Sequence, residues 1–168
     1  PKEGSTQERG LSMSLGEGSI SLNLANEDWY VYSDDYGTSE EKYLVKFIFN
    51  IKDKLLKSFK EVYLIRNQKL LEIFSFKKGE GFEPDYILML GDGKTKATYL
   101  QMLIEPKGQQ LEEKDEWKQE FLLEIKEDKR VLNLFEDDRY KIFGLPFYQE
   151  NQKAKFKEEL EKLLKIKV

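Results

Sequence analysis

Two acids and a lysine mark the stretch from Phe82 to Gly108. Asp85 follows Pro84 and leads into the apolar run Tyr86-Ile87-Leu88-Met89-Leu90. Glu105, Pro106 and Lys107 close a second run, Tyr99-Leu100-Gln101-Met102-Leu103-Ile104. Between the runs lies Gly91-Asp92-Gly93-Lys94-Thr95-Lys96, with the Gly and Asp content of a turn. Folding the runs antiparallel about Thr95 sets Leu90 opposite Leu100 and Asp85 opposite Glu105. Side chains alternate faces along a strand, so Asp85, Ile87 and Met89 share a face with Leu103, Glu105 and Lys107. Directly opposed Cβ atoms lie only about 4.5–5.5 Å apart, and two carboxylates held that close repel unless something cationic sits between them. A divalent metal and the Lys107 ammonium both answer that need. Hard oxygen ligands suit Mg²⁺, which keeps several of its waters and can lower the pKa of one of them. Taken singly the motif is weak: Pro-Asp often opens a strand, and Glu-Pro-Lys-Gly can be an exposed turn after one. The shared register and the shared face are what favour a site.

The elements that must hold these residues can be read in outline. Residues 1–36 are rich in Gly, Ser and acids and read as a loop segment packing on the domain, with a short alternating strand at Ser19–Leu24 and Trp29, Tyr30 and Tyr32 to dock it. Residues 37–168 form the main domain. Thr38 or Ser39 caps a first helix, Glu40 and Glu41 fall in its first turn, and Leu44, Phe47, Ile48, Ile51 and Leu55 recur at helical spacing as far as about Phe59. Taken by itself, Glu41 is a dipole-matched surface acid. Glu61–Arg66 and Leu70–Phe76 read as strands around Asn67-Gln68, and Lys77-Lys78-Gly79-Glu80-Gly81 as a solvated turn. A second helix spans Leu111 to about Glu127, two further strands fall at Val131–Phe135 and Tyr140–Phe147, and a third helix follows Gln149. The predicted class is α/β: a mixed, mainly antiparallel sheet flanked by helices.

Composition removes several chemistries. The 168 residues are enough for one core, and 39% are hydrophobic, so the chain should fold. No cysteine is present, which excludes disulfides, thiolate zinc sites and cysteine nucleophiles. No histidine is present either, which excludes serine–histidine triads and histidine-metal nucleases. Any catalysis must come from carboxylates, lysine, hydroxyls and metal. Twenty-eight basic residues against 32 acidic ones give a net charge of −4, unlike a free-standing nucleic-acid binder, which is usually basic. No apolar run long enough for a transmembrane helix occurs, and a cytoplasmic location is the default expectation. The first residue is Pro1 and not Met, which leads us to expect a piece of something longer.

Pro84-Asp85 and Glu105-Pro106-Lys107 together resemble the signature of the PD-(D/E)XK nucleases, and the element order resembles that restriction-endonuclease-like core. Three stretches narrow the resemblance: Phe82-Glu83-Pro84-Asp85-Tyr86-Ile87-Leu88, Leu103-Ile104-Glu105-Pro106-Lys107-Gly108 and Ile142-Phe143-Gly144-Leu145-Pro146-Phe147. They are similar to the C-terminal endonuclease domain of the restriction subunit of type III restriction enzymes, from about Trp29 onward. The resemblance implies a Mg²⁺-dependent double-strand DNA endonuclease, with Mn²⁺ able to substitute. Asp85 and Glu105 would bind the metal with the main-chain carbonyl of Pro106, which proline retains. Lys107 would position or activate the attacking water and stabilise the pentavalent phosphate. An acid of the first helix, Glu41 or alternatively Glu40, would stand near the metal. The family works beside an ATP-dependent translocase in the same polypeptide and a modification/specificity subunit. No motor motif occurs here, so ATP would act only through a portion absent from this chain. Two other readings stay open: another PD-(D/E)XK nuclease that repairs or resolves branched DNA, and an inactive nuclease fold serving as an interaction module.

Overall fold

In the computed structural model, which describes residues 12–14, 20–32, 34–75, 79–93, 99–108, 115–127 and 140–168, Thr38 caps helix α1 (Ser39–Ser58). The Thr38 hydroxyl accepts from Glu41 N–H, and the Glu41 carboxylate accepts in return from Thr38 N–H. This reciprocal box satisfies two donors that the first turn would leave unpaired. Behind the cap, Leu44, Phe47, Ile48, Ile51 and Leu55 form the buried stripe predicted from their spacing.

The strands are β1 (Glu61–Arg66), β2 (Ile73–Phe74), β3 (Gly81–Phe82), β4 (Tyr86–Gly91), β5 (Tyr99–Ile104) and β6 (Tyr140–Gly144). Helix α2 (Glu116–Glu127) lies between β5 and β6, and helix α3 (Lys153–Leu164) follows a single 3-10 turn at Glu150–Gln152. One sheet has the order β1-β4-β5-β6, antiparallel except for the parallel β5–β6 pair. Parallel neighbours need a crossover, and α2 lies in the connection that makes it. β2 and β3 form a separate two-stranded ribbon. The fold is thus α/β with a mixed, mostly antiparallel sheet and helices, and among the described residues no helix is long and apolar enough to cross a membrane.

Alternation sorts the sheet residues into two cores. Tyr86, Leu88, Leu90, Met102 and Ile104 face α1, α3 and the segment containing Leu24, Trp29 and Tyr30. Ile87 and Leu103 face the other way, into a smaller cluster with Phe82, Phe121, Leu122, Ile125 and Phe147. Gly144 lets β6 and α2 approach closely: a Cβ there would sit 1.9 Å from the carbonyl oxygen of Leu122.

Three strand assignments change. Among the described residues, 20–24 carry no strand; Leu22 N–H donates to Met13 O, and no ladder forms. What reaches the sheet is Tyr30, which bridges Leu64 in parallel while Leu64 N–H donates to Trp29 O at 2.7 Å. Of the strand expected at 70–76, the described residues 70–75 keep only Ile73–Phe74, and Phe76 lies outside the described residues. The Asn67 side chain explains this: its Oδ1 accepts from Leu70 and Leu71 N–H and its Nδ2 donates to Leu71 O, so 67–71 is held as a turn. Lys69 takes φ 62 within it. β6 ends at Gly144, although 145–148 stay extended beside the end of β5. The expected strand at Val131–Phe135, the start of the second helix at Leu111, the tip of the central hairpin, and Lys77 and Lys78 lie outside the described residues.

Candidate active site

The β4–β5 register pairs Leu90 with Leu100 and Tyr86 with Ile104, as folding about Thr95 requires. Carried one step further it sets Asp85 against Glu105. Asp85 N–H donates to Glu105 Oε2 at 3.1 Å, and Asn67 N–H donates to Asp85 O at 2.7 Å, which ties Asp85 to the end of β1. The far side of Glu105-Pro106-Lys107 is held by the chain after β6. Tyr148 N–H donates to Glu105 O at 3.0 Å, and Lys107 N–H to Tyr148 O at 2.9 Å. Gln149 Nε2 donates to Gly108 O at 2.8 Å. Glu105-Pro106-Lys107 is therefore paired, extended chain and not an exposed turn. Extended chain turns Glu105 and Lys107 to one face, and Lys107 Nζ lies 3.1 Å from Glu105 Oε1. Successive carbonyls of a strand point to opposite sides, so with Glu105 O directed at Tyr148, Pro106 O points toward the Asp85 side.

Glu105 is 3% exposed, and burial decides the electrostatics here. Burial pushes the Asp85 carboxyl up to about 7, with Glu105 and Glu41 adding to the rise and Lys107 and Lys118 opposing it. The site is short of positive charge. Burial works against the Lys107 ammonium, but Glu105, Asp115 and Asp85 outweigh it and hold its pKa above the ordinary value. Lys107 is thus a firmly protonated donor, with its ammonium 6.0 Å from the Phe147 ring centre.

Glu41 lies on the other side of the sheet. Its Oε1 is 2.7 Å from Arg66 Nη2, and its partner oxygen closes the Thr38 cap. Arg66 faces Tyr86 across β1–β4 and also reaches Asp35 Oδ1 at 3.2 Å. Asp35, with no exposed surface, accepts from Tyr86 Oη at 3.1 Å and from Gly37 N–H at 3.0 Å. Glu41 is therefore a buried, paired acid whose field reaches Asp85. Glu40 turns elsewhere and accepts from Glu150 N–H at 3.2 Å.

Four residues of this region escape a reading of the sequence. Asp35 and Arg66 are joined only by tertiary contact, and nothing local marks either. Asp115 and Lys118, at the start of α2, meet Lys107 and Glu105: Lys118 Nζ is 3.1 Å from Asp115 Oδ1 and 3.7 Å from Glu105 Oε1. Lys118 did leave a signal, because it stands four before Leu122 and seven before Ile125, on the face that should be apolar.

The arrangement offers a cation two carboxylates and one main-chain carbonyl. Among the described residues no three carboxylates, imidazoles or thiolates converge on one point. A metal here would rely on Asp85, Glu105, the Pro106 carbonyl and water. That all-oxygen set fits Mg²⁺, which binds through one or two carboxylates and keeps waters. Asp85 and the buried Glu105 stand side by side, with Asp85 N–H on Glu105 Oε2 at 3.1 Å, so a divalent charge would relieve the repulsion between their carboxylates.

Comparison with known proteins places these residues in a wider group. The family model HI_1054_C, described as a C-terminal domain, matches residues 18–166. An uncharacterized protein of Haemophilus influenzae (strain ATCC 51907 / DSM 11121 / KW20 / Rd) is 39% identical over 137 residues, covering 75% of this chain and 29% of that protein. The chain thus spans less than a third of that relative's length. No solved structure matches.

Proposed function

The chain belongs to the HI_1054_C family, and within it we propose that this domain is a Mg²⁺-dependent DNA endonuclease with a PD-(D/E)XK core. One observation carries the reading: Asp85, Glu105 and Lys107 meet at one end of the β4–β5 pair, with Asp85 N–H on Glu105 Oε2 at 3.1 Å and Lys107 Nζ on Glu105 Oε1 at 3.1 Å. The element order supports it: one helix, three antiparallel sheet strands, a crossover helix and a parallel fourth strand. Asp85, Glu105 and the Pro106 carbonyl would hold the metal, and Mn²⁺ would substitute. Bound there, the metal would polarise the scissile phosphate and lower the pKa of a water.

The chain's own residues have separable parts in the reaction. Lys107, kept protonated by its acidic neighbours, donates to the phosphate oxygens as charge builds in the transition state and orients the attacking water. Glu105, pinned through Oε2 by Asp85 N–H, orients one edge of its carboxylate and leaves Oε1 to cations. Glu41 acts from across the sheet through its field on Asp85, while Arg66 keeps it from the metal itself.

The nuclease part of a type III restriction subunit is the form of this proposal that the sequence resemblance favours. Its partners would be duplex DNA, an ATP-dependent translocase portion of the same polypeptide and a modification/specificity subunit, in the cytoplasm. A relative of which this chain covers 29% supports seeking the delivering portion in a longer polypeptide. An inactive interaction module is the second reading; among the described residues no third acid joins Asp85 and Glu105. Calorimetric titration with Mn²⁺ separates the two: one saturable site, lost in Glu105→Gln, together with Mg²⁺-dependent cutting of supercoiled DNA at high protein concentration, is expected. No heat of binding and no cutting would leave only the scaffold.

A further inference from the structure

Lys118 occupies a position that helix periodicity reserves for an apolar side chain. Leu122 and Ile125, four and seven residues on along the same face of α2, are 0% and 2% exposed. A charged group on such a face is costly unless it is paired. Its partners are specific. Asp115, one residue ahead of α2, places Oδ1 3.1 Å from Lys118 Nζ and Oδ2 3.5 Å from Lys107 Nζ. One carboxylate thus holds two ammoniums, one oxygen for each. Both ammoniums then converge on Glu105 Oε1, Lys107 at 3.1 Å and Lys118 at 3.7 Å.

The charge balance says what the pair of lysines can take. When ionised, Asp85, Glu105 and Asp115 outnumber Lys107 and Lys118 by one negative charge. Glu41 stays outside this sum because Arg66 matches it at 2.7 Å. A single divalent cation on Asp85 and Glu105 would turn the balance to one positive charge. A phosphodiester, with its one negative charge, cancels that. A cation on Glu105 also competes for the oxygen both ammoniums now share, freeing their donors for another oxyanion.

Resting on the nuclease reading above, we infer that Lys118 is a second phosphate-binding residue of the site, and that Asp115 is the positioning residue that aims both lysines. The two ammoniums come from different elements, the extension of β5 and the first turn of α2. They can therefore grip separate oxygens of a backbone phosphate, a fixed orientation that one flexible lysine cannot impose.

The test uses the whole chain, a short DNA duplex and Ca²⁺ to suppress turnover, with binding measured across a range of salt. Mn²⁺ affinity is measured separately by calorimetry. Lys118→Gln should keep or tighten Mn²⁺ binding, because it removes a competitor for Glu105. It should weaken duplex binding about tenfold, the scale of one charged hydrogen bond, and flatten the salt dependence by about one contact. Lys118→Arg should retain the salt dependence, since a guanidinium also neutralises a phosphate. If Lys118→Gln binds Mn²⁺ and duplex DNA with unchanged affinity and salt slope, the inference is overturned while the metal site stands. If the wild-type chain takes up no Mn²⁺, the site reading itself falls, and this inference with it. If Lys118→Gln melts lower and Lys118→Arg restores the melting temperature but not the salt slope, Lys118 is structural and the inference is likewise overturned.

Discussion

Replacing Asp85 by Asn should make the metal-free protein more stable above pH 7. In the folded chain the Asp85 carboxyl is pushed up to about 7 from an ordinary 3.8. A carboxyl with a raised folded pKa contributes no penalty below its unfolded pKa, where both states are protonated. As pH climbs from about 4 to about 7, the unfolded state ionises while the folded state resists, and stability drains away. Above about 7 the loss is complete and constant. The interval covers about three decades of proton activity, each equivalent to ~1.4 kcal/mol, so the ceiling is roughly 4 kcal/mol. Water reaches this partly buried carboxylate and screens it, and we expect about 1–2 kcal/mol at pH 8. For a chain of this size that is a rise of roughly 2–8 °C in melting temperature. The assay is thermal unfolding of wild type and Asp85→Asn at pH 4 and pH 8, with chelator and then with millimolar Mn²⁺. The gain should be small at pH 4 and full at pH 8. With Mn²⁺ the order should close or reverse, because only the wild type has a site whose occupation stabilises the folded state. A lower melting temperature for Asp85→Asn at pH 8 without metal would show that the carboxylate is a structural anchor. An equal gain at both pH values would show that ionisation is not its source.

Lys107→Ala should retain Mn²⁺ binding yet lose at least ~10²-fold in cleavage rate, the scale of one transition-state donor. Lys107→Arg should fail as well, because a planar guanidinium cannot stand in for a compact ammonium, and near-normal single-turnover cleavage by either variant would remove the role. Gly144→Ala should destabilise the fold by ~1–3 kcal/mol, since its Cβ would fall 1.9 Å from Leu122 O; a urea midpoint within error of wild type would contradict the close approach of β6 and α2. The isolated chain, net −4, should bind duplex DNA weakly and with steep salt dependence, because affinity rests on neutralised phosphates. Submicromolar, sequence-selective binding at physiological salt would sink the idea that a neighbouring portion delivers the DNA.

The pairing of Asp85 with Glu105 was legible in the sequence because it is a local matter. Two alternating apolar runs joined by a Gly- and Asp-bearing turn admit few registers, since a slip of one residue moves every side chain to the opposite face of the sheet. Leu90 opposite Leu100 followed from that, as did the shared face of Ile87 and Leu103. The Thr38–Glu41 box and the stripe behind it are similarly local, written in residues three and four apart. Tertiary structure alone decided what surrounds the acids. Arg66 meets Asp35 31 residues back and Glu41 25 residues back, and Tyr86 meets Asp35 across 51; no periodicity carries such a contact. That meeting takes Glu41 to the α1 side of the sheet, which its place in a first turn could not show. Among the described residues the alternating Ile20, Leu22 and Leu24 pair with no strand, and the Asn67 side chain claimed the backbone donors that would have lengthened β2. Lys118 is the intermediate case. Its place on an apolar helix face was visible, but its reason, Glu105 and Asp115 within reach of one ammonium, exists only when α2 is laid against the sheet.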